Sequence, residues 1–531
     1  MKKTIKKLTA VGLTLTSVMS LVACGNNNSK GGNDGGNTTG EVTKPGKFTV
    51  MVDSTVVTES NGAQQFYDYL GELTGLDIEW VRPDHSNYYD AVANAFNSDD
   101  IPDVVLLSSD YYALYASNGF LWNMTDAWND SETKNSGRLI DTAENVLQAL
   151  LVNGEDGTQA MYGFSPYRGN GCCTYIKKTW LEDAGIDVSK VDGVTMDFNT
   201  YYGYLKQMAE QKGHFVISAP DFISTEAPYT NYLPEFYQQA QYTFYKNSSG
   251  KYVDGFSEKA MQDALQRIQT AVAEGVIDKA TLGQKTSDAR NKFYSTDPAS
   301  ESGVFTYWAG TWANTLKTNL ESKDLSGELI AINPIKELGT YVERIAPAWC
   351  ITTSAENPEG IFKYFIDTML DGGDVQTAWE YGAKETHWDT KAETVTLAEG
   401  KGEYTYSEGE FHMLPSPEKP STLMQKNHID PILALATFKS GDDPGAASMA
   451  EVAIENGDFF AKCSTVAVPL PMTETLGENS TDINTTRNKV ISEVALGNMT
   501  VQEGMDFYNS TVGDKVAEVL DSLNNPKKSG R

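Results

Sequence analysis

A short stretch in the first quarter of the chain decides the fold: IPDVVLL at residues 101–107. Its apolar residues are continuous rather than alternating, which is typical of a strand buried on both faces of a parallel sheet. Strand patterns also occur at residues 48–52 and 77–81, and helical patterns at 63–73, 88–96 and 111–116. Strands that alternate with crossover helices predict a doubly wound α/β lobe.

A second series of alternating patterns begins near Tyr162. It predicts strands at 174–176, 303–307, 329–332 and 345–352, helices at 180–184, 201–211, 258–274, 358–370, 431–438, 485–496 and 501–523, and loops with one hairpin over 388–425. Since one core rarely grows beyond about 250–300 residues, the 531 residues predict more than one domain. We expect interwoven lobes, with residues 48–160 and 346–372 in lobe 1 and residues 161–345 and 373–531 in lobe 2.

The N-terminus has the pattern of a secretory signal. Four lysines precede an apolar run at residues 8–22 that is too short to span a bilayer as a helix. The run ends in Leu21-Val22-Ala23-Cys24, which resembles the bacterial lipobox, whose cysteine receives a diacylglycerol. We therefore expect residues 1–23 to be removed and Cys24 to carry acyl chains such as palmitate. The alternative is an ordinary signal with a chance cysteine at the cut.

Residues 24–47 are predicted to be a flexible tether. The segment after Cys24 is rich in Gly and Asn and holds too few apolar residues to offset its ordering entropy. A coil of this length reaches roughly 27 Å. The body would then remain at the outer face of the cytoplasmic membrane, as in Gram-positive bacteria, within reach of a partner in that membrane.

The chain is strongly acidic, with a formal net charge of -30. This balance argues against nucleic acid and against anionic lipid headgroups as partners. Solubility outside the cell is the simpler explanation of the charge. It also makes a polyanionic ligand such as a uronate polymer less favoured, without excluding one basic cleft.

Motifs for catalysis and metal binding are absent from the sequence. It contains no G-x-S-x-G, H-E-x-x-H or Walker motif, no C-x-x-C, and five histidines without ligand spacing. Beyond Cys24 there are four cysteines, the vicinal pair Cys172-Cys173 and then Cys350 and Cys463. The last two lie in apolar, strand-like runs, which predicts buried, reduced thiols. With 72 acidic residues, no catalytic carboxylate pair can be picked out.

Several segments, taken in order, resemble the family 1 extracellular solute-binding proteins of ABC importers, in their large oligosaccharide-binding lipoprotein branch. They are PDVV at 102–105, ASNGFLWNMTD at 116–126, EDG at 155–157, MYGFSPY at 161–167, YIKKTWLEDAGI at 175–186, EGVID at 274–278, NPE at 357–359 and GNMTVQEG at 497–504. The resemblance implies an α/β fold with two doubly wound lobes joined by hinge strands around a ligand cleft, as in type II periplasmic binding proteins. It implies no enzymatic activity and no cofactor. The calcium loop of larger members is missing after residue 211, so we expect no metal there.

Ligand contacts in such a fold come from loops at the carboxyl ends of strands. Sugars need flat aromatic platforms and planar hydrogen-bonding groups. The candidate ligand-binding residues are Asp53, Asn87, Asp110, Arg168, Trp308, Trp312, Trp349, Glu385, His387 and Trp388. Trp308 and Trp312 are expected at i and i+4 on one helix face, and the last three lie in a loop that resembles a cleft loop of the family.

Each candidate also has a structural alternative. Asp53, Asn87 and Asp110 could cap helices. Each of the four tryptophans could face a core instead of the cleft, the glycine turn around Arg168 could be only a hinge, and His387 could be an ordinary surface histidine.

The sequence thus predicts a monomeric, membrane-anchored binding protein. It would capture a neutral, plant-glycan-derived oligosaccharide by lobe closure and deliver it to ABC transporter permease subunits. The 27 tyrosines and nine tryptophans favour sugars over amino acids, peptides or metals. The alternatives are a surface-anchored glycosidase or lyase and a carbohydrate adhesin.

Overall fold

The computed structural model describes residues 41–98, 100–135, 147–155, 158–224, 228–396, 403–414, 435–436, 451–468, 470–471 and 473–525. Cys24, the predicted signal peptide and the predicted tether up to residue 40 lie outside these residues. Within the described part of the chain, no helix combines the length and apolar character needed to cross a membrane.

The first lobe is built on a four-stranded sheet. Its strands are Phe48–Met51, Ile78–Val81, Val104–Leu107 and Ala348–Ile351. In space the fourth strand lies at one edge, followed by the third, the first and the second. The first three are parallel, and Ala348–Ile351 runs antiparallel to Val104–Leu107. All four residues of Val104–Leu107 are buried, as the unbroken apolar run predicted.

Helices cover this sheet, among them those predicted at 63–73, 88–96, 111–116 and 358–370. They are Ala63–Thr74, Tyr88–Phe96, Ser109–Ser117, Thr125–Asn129, Glu132–Asn135, Pro358–Ile361 and Asp374–Tyr381, with helical turns at Glu59–Asn61, His85–Asn87, Phe362–Ile366 and Asp367–Leu370, and a hairpin of Leu151–Asn153 with Gln159–Met161. The predicted helix 358–370 is present, but it changes from α to π to 3₁₀ winding along its length. Asn357 begins it by accepting a hydrogen bond from the Gly360 amide, and Pro358 occupies the first turn, where its missing N–H costs nothing.

The second lobe has a smaller, antiparallel centre. Cys172–Lys177 lies between Val304–Trp308 and Leu329–Ala331 and is antiparallel to both. Ile217 forms parallel bridges to Val304 and Ile277 beside it. All six residues of Cys172–Lys177 are buried.

Many helices surround this second sheet, and several strand pairs lie outside the two main sheets. The helices are Lys178–Asp183, Phe198–Lys212, Pro234–Tyr237, Lys259–Ala273, Thr286–Phe293, Thr311–Glu321, Glu451–Cys463, Glu474–Ala495 and Val501–Asn524, with 3₁₀ turns at Val188–Lys190, Gly255–Ser257 and Lys279–Thr281. The strand pairs are Phe244–Lys246 with Tyr252–Asp254, Tyr341–Glu343 with Ser464–Val466, Trp388–Asp389 with His412–Met413, Glu393–Thr396 with Glu403–Tyr406, and Tyr167–Arg168 with Leu435–Ala436.

Three sequence-based expectations differ from these elements. Cys463 ends a helix rather than lying in a strand. The helix predicted at 485–496 begins at Glu474, because the Thr473 side chain caps it by accepting from the Leu476 amide. Leu435–Ala436 is a strand, and the rest of the helix predicted at 431–438 lies outside the described residues. Among the described residues, Cys172, Cys173 and Cys350 are buried reduced thiols, and Cys463 is a reduced thiol that is only half-buried.

The hydrophobic residues form two large clusters. The first gathers the four-stranded sheet and its helices and includes Trp349, Phe365 and Trp379. The second surrounds Cys172–Lys177 and extends to the C-terminal helix Val501–Asn524. The helix Asp374–Tyr381 contributes Val375, Ala378 and Trp379 to the first cluster. The proposed division of the chain at residues 345 and 372 stays a prediction.

Two segments cross between the clusters side by side. Phe164 bridges to Trp349, and Gly171 bridges to Glu343. The contact is so close that a Cβ on Gly169 would lie 1.8 Å from the Arg344 carbonyl oxygen. Only glycine fits such an approach of two backbones. We call residues 164–171 and 343–349 the crossover.

The end of the predicted tether is not free. The Tyr364 hydroxyl donates to the Val42 carbonyl at 3.2 Å, and Asn357 donates to the Thr43 carbonyl at 3.1 Å. Lys44 donates to the carbonyl of Thr74 at 2.7 Å. The expectation of a flexible tether up to residue 47 is therefore wrong at its end, where the segment is bound to the first lobe.

Candidate functional site

Two tyrosines meet at the carboxyl ends of first-lobe strands. Tyr89 and Tyr111 lie in the first turns of the helices Tyr88–Phe96 and Ser109–Ser117, and their rings stack with centroids 3.8 Å apart and an interplanar angle of 4°. The Tyr89 hydroxyl donates to Ser108 Oγ at 2.6 Å and accepts from the Ser108 amide at 3.1 Å. Both tyrosines are half-buried. The pair therefore forms a fixed aromatic and hydroxyl surface at this edge of the sheet.

Arg344 lies against Trp308, and its positive charge affects Tyr89. It lies in the crossover, where its Nε donates to the Gly169 carbonyl at 2.7 Å. Its guanidinium carbon lies 5.2 Å from the ring centroid of Trp308. Burial raises the pKa of Tyr89, while the bonds to Ser108 and the positive charge of Arg344 lower it in part. Arg344 is half-buried between the two lobes.

The backbone after Trp308 is held rigidly. Trp308 is the last residue of Val304–Trp308, and its carbonyl accepts from the Tyr175 hydroxyl at 3.0 Å. The next carbonyl, of Ala309, accepts from the buried Asn170 amide at 3.1 Å. Trp308 itself is 9% exposed and belongs to the second hydrophobic cluster. We call Tyr89, Tyr111, Trp308 and Arg344 the seam.

Trp312 does not share a helix face with Trp308. The helix Thr311–Glu321 begins three residues after Trp308, and Gly310, with φ of +71°, turns the chain between them. Trp312 packs edge-on against Tyr307 at 5.1 Å, and the Arg290 guanidinium carbon lies 5.7 Å from its ring centroid. Its buried Nε1 has no hydrogen-bond partner among the described residues. The expected i, i+4 arrangement is wrong.

Trp349 and Trp388 are both buried away from the seam. Trp349 is 4% exposed and makes edge-on contacts with Phe365 and Trp379 at 5.7 and 5.2 Å. Trp388 donates from Nε1 to the Gly382 carbonyl at 2.8 Å and stacks on Phe411 at 5.0 Å. These contacts favour the core alternative for both side chains.

His387 and Glu385 occupy one loop but differ in surroundings. His387 is completely buried, so the alternative of a surface histidine is wrong. Its Nδ1 accepts from the Ala383 amide at 2.8 Å and its Nε2 donates to the Asn61 carbonyl at 2.7 Å. Burial lowers its pKa, and this neutral ring ties the loop to the first lobe. Glu385 is exposed and pairs with Lys391.

Two of the predicted polar residues lie near the ends of the first-lobe strands. Asp53 Oδ1 accepts from the Thr55 amide at 2.8 Å, and its Oδ2 lies 2.7 Å from Nδ1 of His85. Asn87 precedes the helix Tyr88–Phe96 but its side chain makes no cap hydrogen bond, and it is exposed. Asp53 therefore organises its own turn, while Asn87 remains available.

The side chains of Asp110 and Arg168 lie outside what the structure describes. Ser108, not Asp110, is the residue that precedes the helix Ser109–Ser117. Arg168 pairs through its backbone with Leu435. For these two residues, a ligand contact stays a prediction.

The sequence did not point to three of the four seam residues. Tyr89 and Tyr111 each lie within two positions of a predicted candidate, Asn87 or Asp110. The expectation that ligand contacts follow strand ends therefore identified the correct turns but not the correct side chains. Arg344 follows no motif, and only the crossing of two distant segments brings it to the seam.

Comparison with known proteins gives a likeness in structure but none in sequence. No protein-family model matches the chain, and no curated protein matches it. A family 1 extracellular solute-binding protein from Alicyclobacillus acidocaldarius is 15% identical with a TM-score of 0.53, covering 91% of this chain and 100% of that one. An N-glycan transport solute-binding protein from Streptococcus pneumoniae is 16% identical, TM-score 0.56, covering 92% and 100%.

A third similar structure is the sugar-binding protein MalE from Xanthomonas citri, at 12% identity and a TM-score of 0.58, with 89% of this chain and 98% of that one covered. All three similarities extend over nearly the whole of both chains. The α/β architecture with two lobes that the sequence predicted is thereby confirmed. The chain has the fold of the family 1 extracellular solute-binding proteins.

Proposed function

We propose that this protein captures an oligosaccharide between its two lobes and delivers it to the permease of an ABC importer. The observation that carries the proposal is the seam, where Tyr89 and Tyr111 stack at strand ends of one lobe, and Arg344, whose charge affects Tyr89, lies against Trp308 beside the other. Aromatic faces suit the C–H faces of sugar rings, and guanidinium and phenol groups suit their hydroxyls.

The crossover supports a mechanism of capture by closure. Two lobes joined by adjacent segments can rotate through changes in few backbone dihedrals. A ligand that touches both lobes stabilises the closed state by its differential affinity for that state. The permease would then distinguish loaded from empty protein by the spacing of the lobes.

The N-terminal segment supports attachment to a membrane. The lipobox-like sequence before Cys24 provides the acylation site, and the contacts of Val42, Thr43 and Lys44 attach the tether to the first lobe. The first lobe is then the one held near the outer face of the cytoplasmic membrane, and the second lobe is the one that moves relative to it.

The names of the similar structures are the further support for a carbohydrate ligand. One is named as an N-glycan transport protein and another as a sugar-binding protein. We extend carbohydrate binding, without catalysis, to this chain. The rival is a surface glycosidase or lyase, which would release shorter products from the same oligosaccharides.

Calorimetric titration with xylo-, manno-, gluco- and galacto-oligosaccharides, and with peptides as the contrasting class, tests this function. We expect a saturable response to one oligosaccharide series and no cleavage products after long incubation. Tyr89→Ala should weaken that response, while Trp388→Phe, which alters a buried tryptophan outside the seam, should not. A response to peptides alone would contradict the proposal, and cleavage products would identify an enzyme.

A further inference from the structure

Arg344 differs from two other arginines of the chain in its partners. Arg82 pairs with the carboxylate of Glu59, and Arg487 pairs with that of Asp254 at 2.7 Å. Arg344 instead donates only through Nε, to a backbone carbonyl. Among the described residues, no carboxylate pairs with it and its two terminal nitrogens make no hydrogen bond. The two terminal nitrogens of this half-buried guanidinium are thus available to a ligand.

The surroundings hold this guanidinium in place without neutralising it. The Gly169 carbonyl fixes its inner nitrogen, and its guanidinium carbon lies 5.2 Å from the centroid of the Trp308 ring. The adjacent carboxylate, Glu343, is completely buried and accepts from the Gly169 amide at 3.0 Å and from Ser464 Oγ at 3.3 Å. Because these two contacts already restrict the Arg344 side chain, the side chain loses less conformational entropy when a ligand binds to it.

The free edge of a guanidinium matches a carboxylate. Two parallel N–H···O bonds form between such groups, and they are stronger than bonds to neutral oxygens. The group lies against Trp308 of the seam, where the proposed sugar would bind. One guanidinium at the seam of a chain with net charge -30 suits a ligand with one negative charge better than a polyanion.

We propose that Arg344 selects an oligosaccharide that carries one acidic sugar, whose carboxylate binds the two terminal guanidinium nitrogens. This inference rests on the proposed function and narrows the expected ligand from a neutral oligosaccharide to a chain with a single uronate unit. Neutral sugar units on either side would contact Tyr89, Tyr111 and Trp308.

The first test changes only the ligand. For each backbone series, three probes are titrated into the wild-type protein: the neutral tetrasaccharide, the same chain with one glucuronic acid branch, and that branched chain as its methyl ester. We expect the uronate to bind about 10- to 100-fold more tightly than its ester, the range of a charge-assisted hydrogen bond. Equal affinities for uronate, ester and neutral chain would overturn the inference while leaving oligosaccharide capture intact. Binding of none of the probes would instead contradict the proposed function.

The second test changes the arginine. A glutamine side chain at this position could still donate to the Gly169 carbonyl, so Arg344→Gln preserves one contact of the wild-type side chain. We expect this variant to lose the preference for the uronate over the ester, so that its affinities for the two probes agree within about threefold. Arg290→Gln is the matched control, since Arg290 is also part-buried beside an indole, that of Trp312, outside the seam. An unchanged preference in Arg344→Gln, or its loss in the control as well, would overturn the inference.

Discussion

The seam and the core of the first lobe contain tryptophans of nearly equal burial but different surroundings. Trp349 is 4% exposed and is surrounded by the aromatic rings of Phe365 and Trp379. Trp308 is 9% exposed and has the guanidinium of Arg344 over its ring. Burial alone therefore does not separate a structural tryptophan from one at a ligand site. The chemistry of the neighbouring group separates the two tryptophans. The rings around Trp349 belong to the hydrophobic core, whereas the cation beside Trp308 extends toward the other lobe.

Trp349→Ala should give the largest effect, on stability. Removing an indole packed against two rings leaves a cavity, and such substitutions cost about 3–5 kcal/mol. Urea unfolding should show this loss, while the folded fraction binds its oligosaccharide with wild-type affinity. A loss below about 1 kcal/mol, or a selective loss of affinity, would place Trp349 at the ligand instead.

A second buried position, Glu235, tests the contrast between core and seam through the pH dependence of stability. Glu235 is 1% exposed, and burial raises its pKa to about 7 despite hydrogen bonds from Thr174 and Tyr341. Since its ordinary pKa is 4.5, the folded state holds a proton that the unfolded state loses first. Its contribution to stability should therefore fall as the pH rises from the unfolded value to the folded one, by on the order of 3 kcal/mol, and stay constant above it.

Glu235→Gln isolates that contribution. The variant should gain stability relative to the wild type at pH 8 but not at pH 4, as measured by urea unfolding at both values. Oligosaccharide affinity should not change, because Glu235 lies in the second core and not in the seam. The same stability difference at both pH values would show that Glu235 does not titrate in the folded range.

Trp308→Ala should lower ligand affinity more than stability, which is the opposite of the pattern expected for Trp349→Ala. Loss of a ring that contacts a sugar should cost about 1–3 kcal/mol in binding, which is about 5- to 150-fold in Kd. Because Trp308 also packs on the second core, some thermal stability should be lost, but less than in Trp349→Ala. Unchanged affinity together with a large drop in Tm would make Trp308 a core residue.

Tyr89→Phe should give the smallest effect. The substitution removes two hydrogen bonds to Ser108 and keeps the stacking on Tyr111. A stability loss of about 1 kcal/mol is expected, with a binding loss of similar size. Tyr67→Phe is the matched control, since the buried Tyr67 hydroxyl has no hydrogen-bond partner among the described residues. A larger effect in the control than in Tyr89→Phe would contradict the role given to the seam.

Local sequence patterns predicted the elements well. The helix Tyr88–Phe96 and the strands of the first sheet follow from periodicity and turn residues, because those signals are local. The pairing of Cys172–Lys177 with antiparallel neighbours did not follow, since register between distant strands is set by tertiary packing.

The site was predicted less completely than the fold. Trp308 was found because an aromatic at a strand end is a local feature. His387 was misjudged because its two partners, Asn61 and Ala383, come from separate segments that no sequence pattern connects. Arg344 was missed for the same reason, since its contacts with Gly169 and Trp308 exist only where the crossover segments meet.

Hydrogen exchange with and without a saturating oligosaccharide tests the central claim, that one ligand contacts both lobes at the seam, most directly. The account predicts that bound ligand slows amide exchange both in the first turns of Tyr88–Phe96 and Ser109–Ser117 and in the segments around Trp308 and Arg344. Peptides around Trp349 should exchange at the same rate in both states. Protection confined to one lobe, or protection at Trp349 without protection at the seam, would contradict the account.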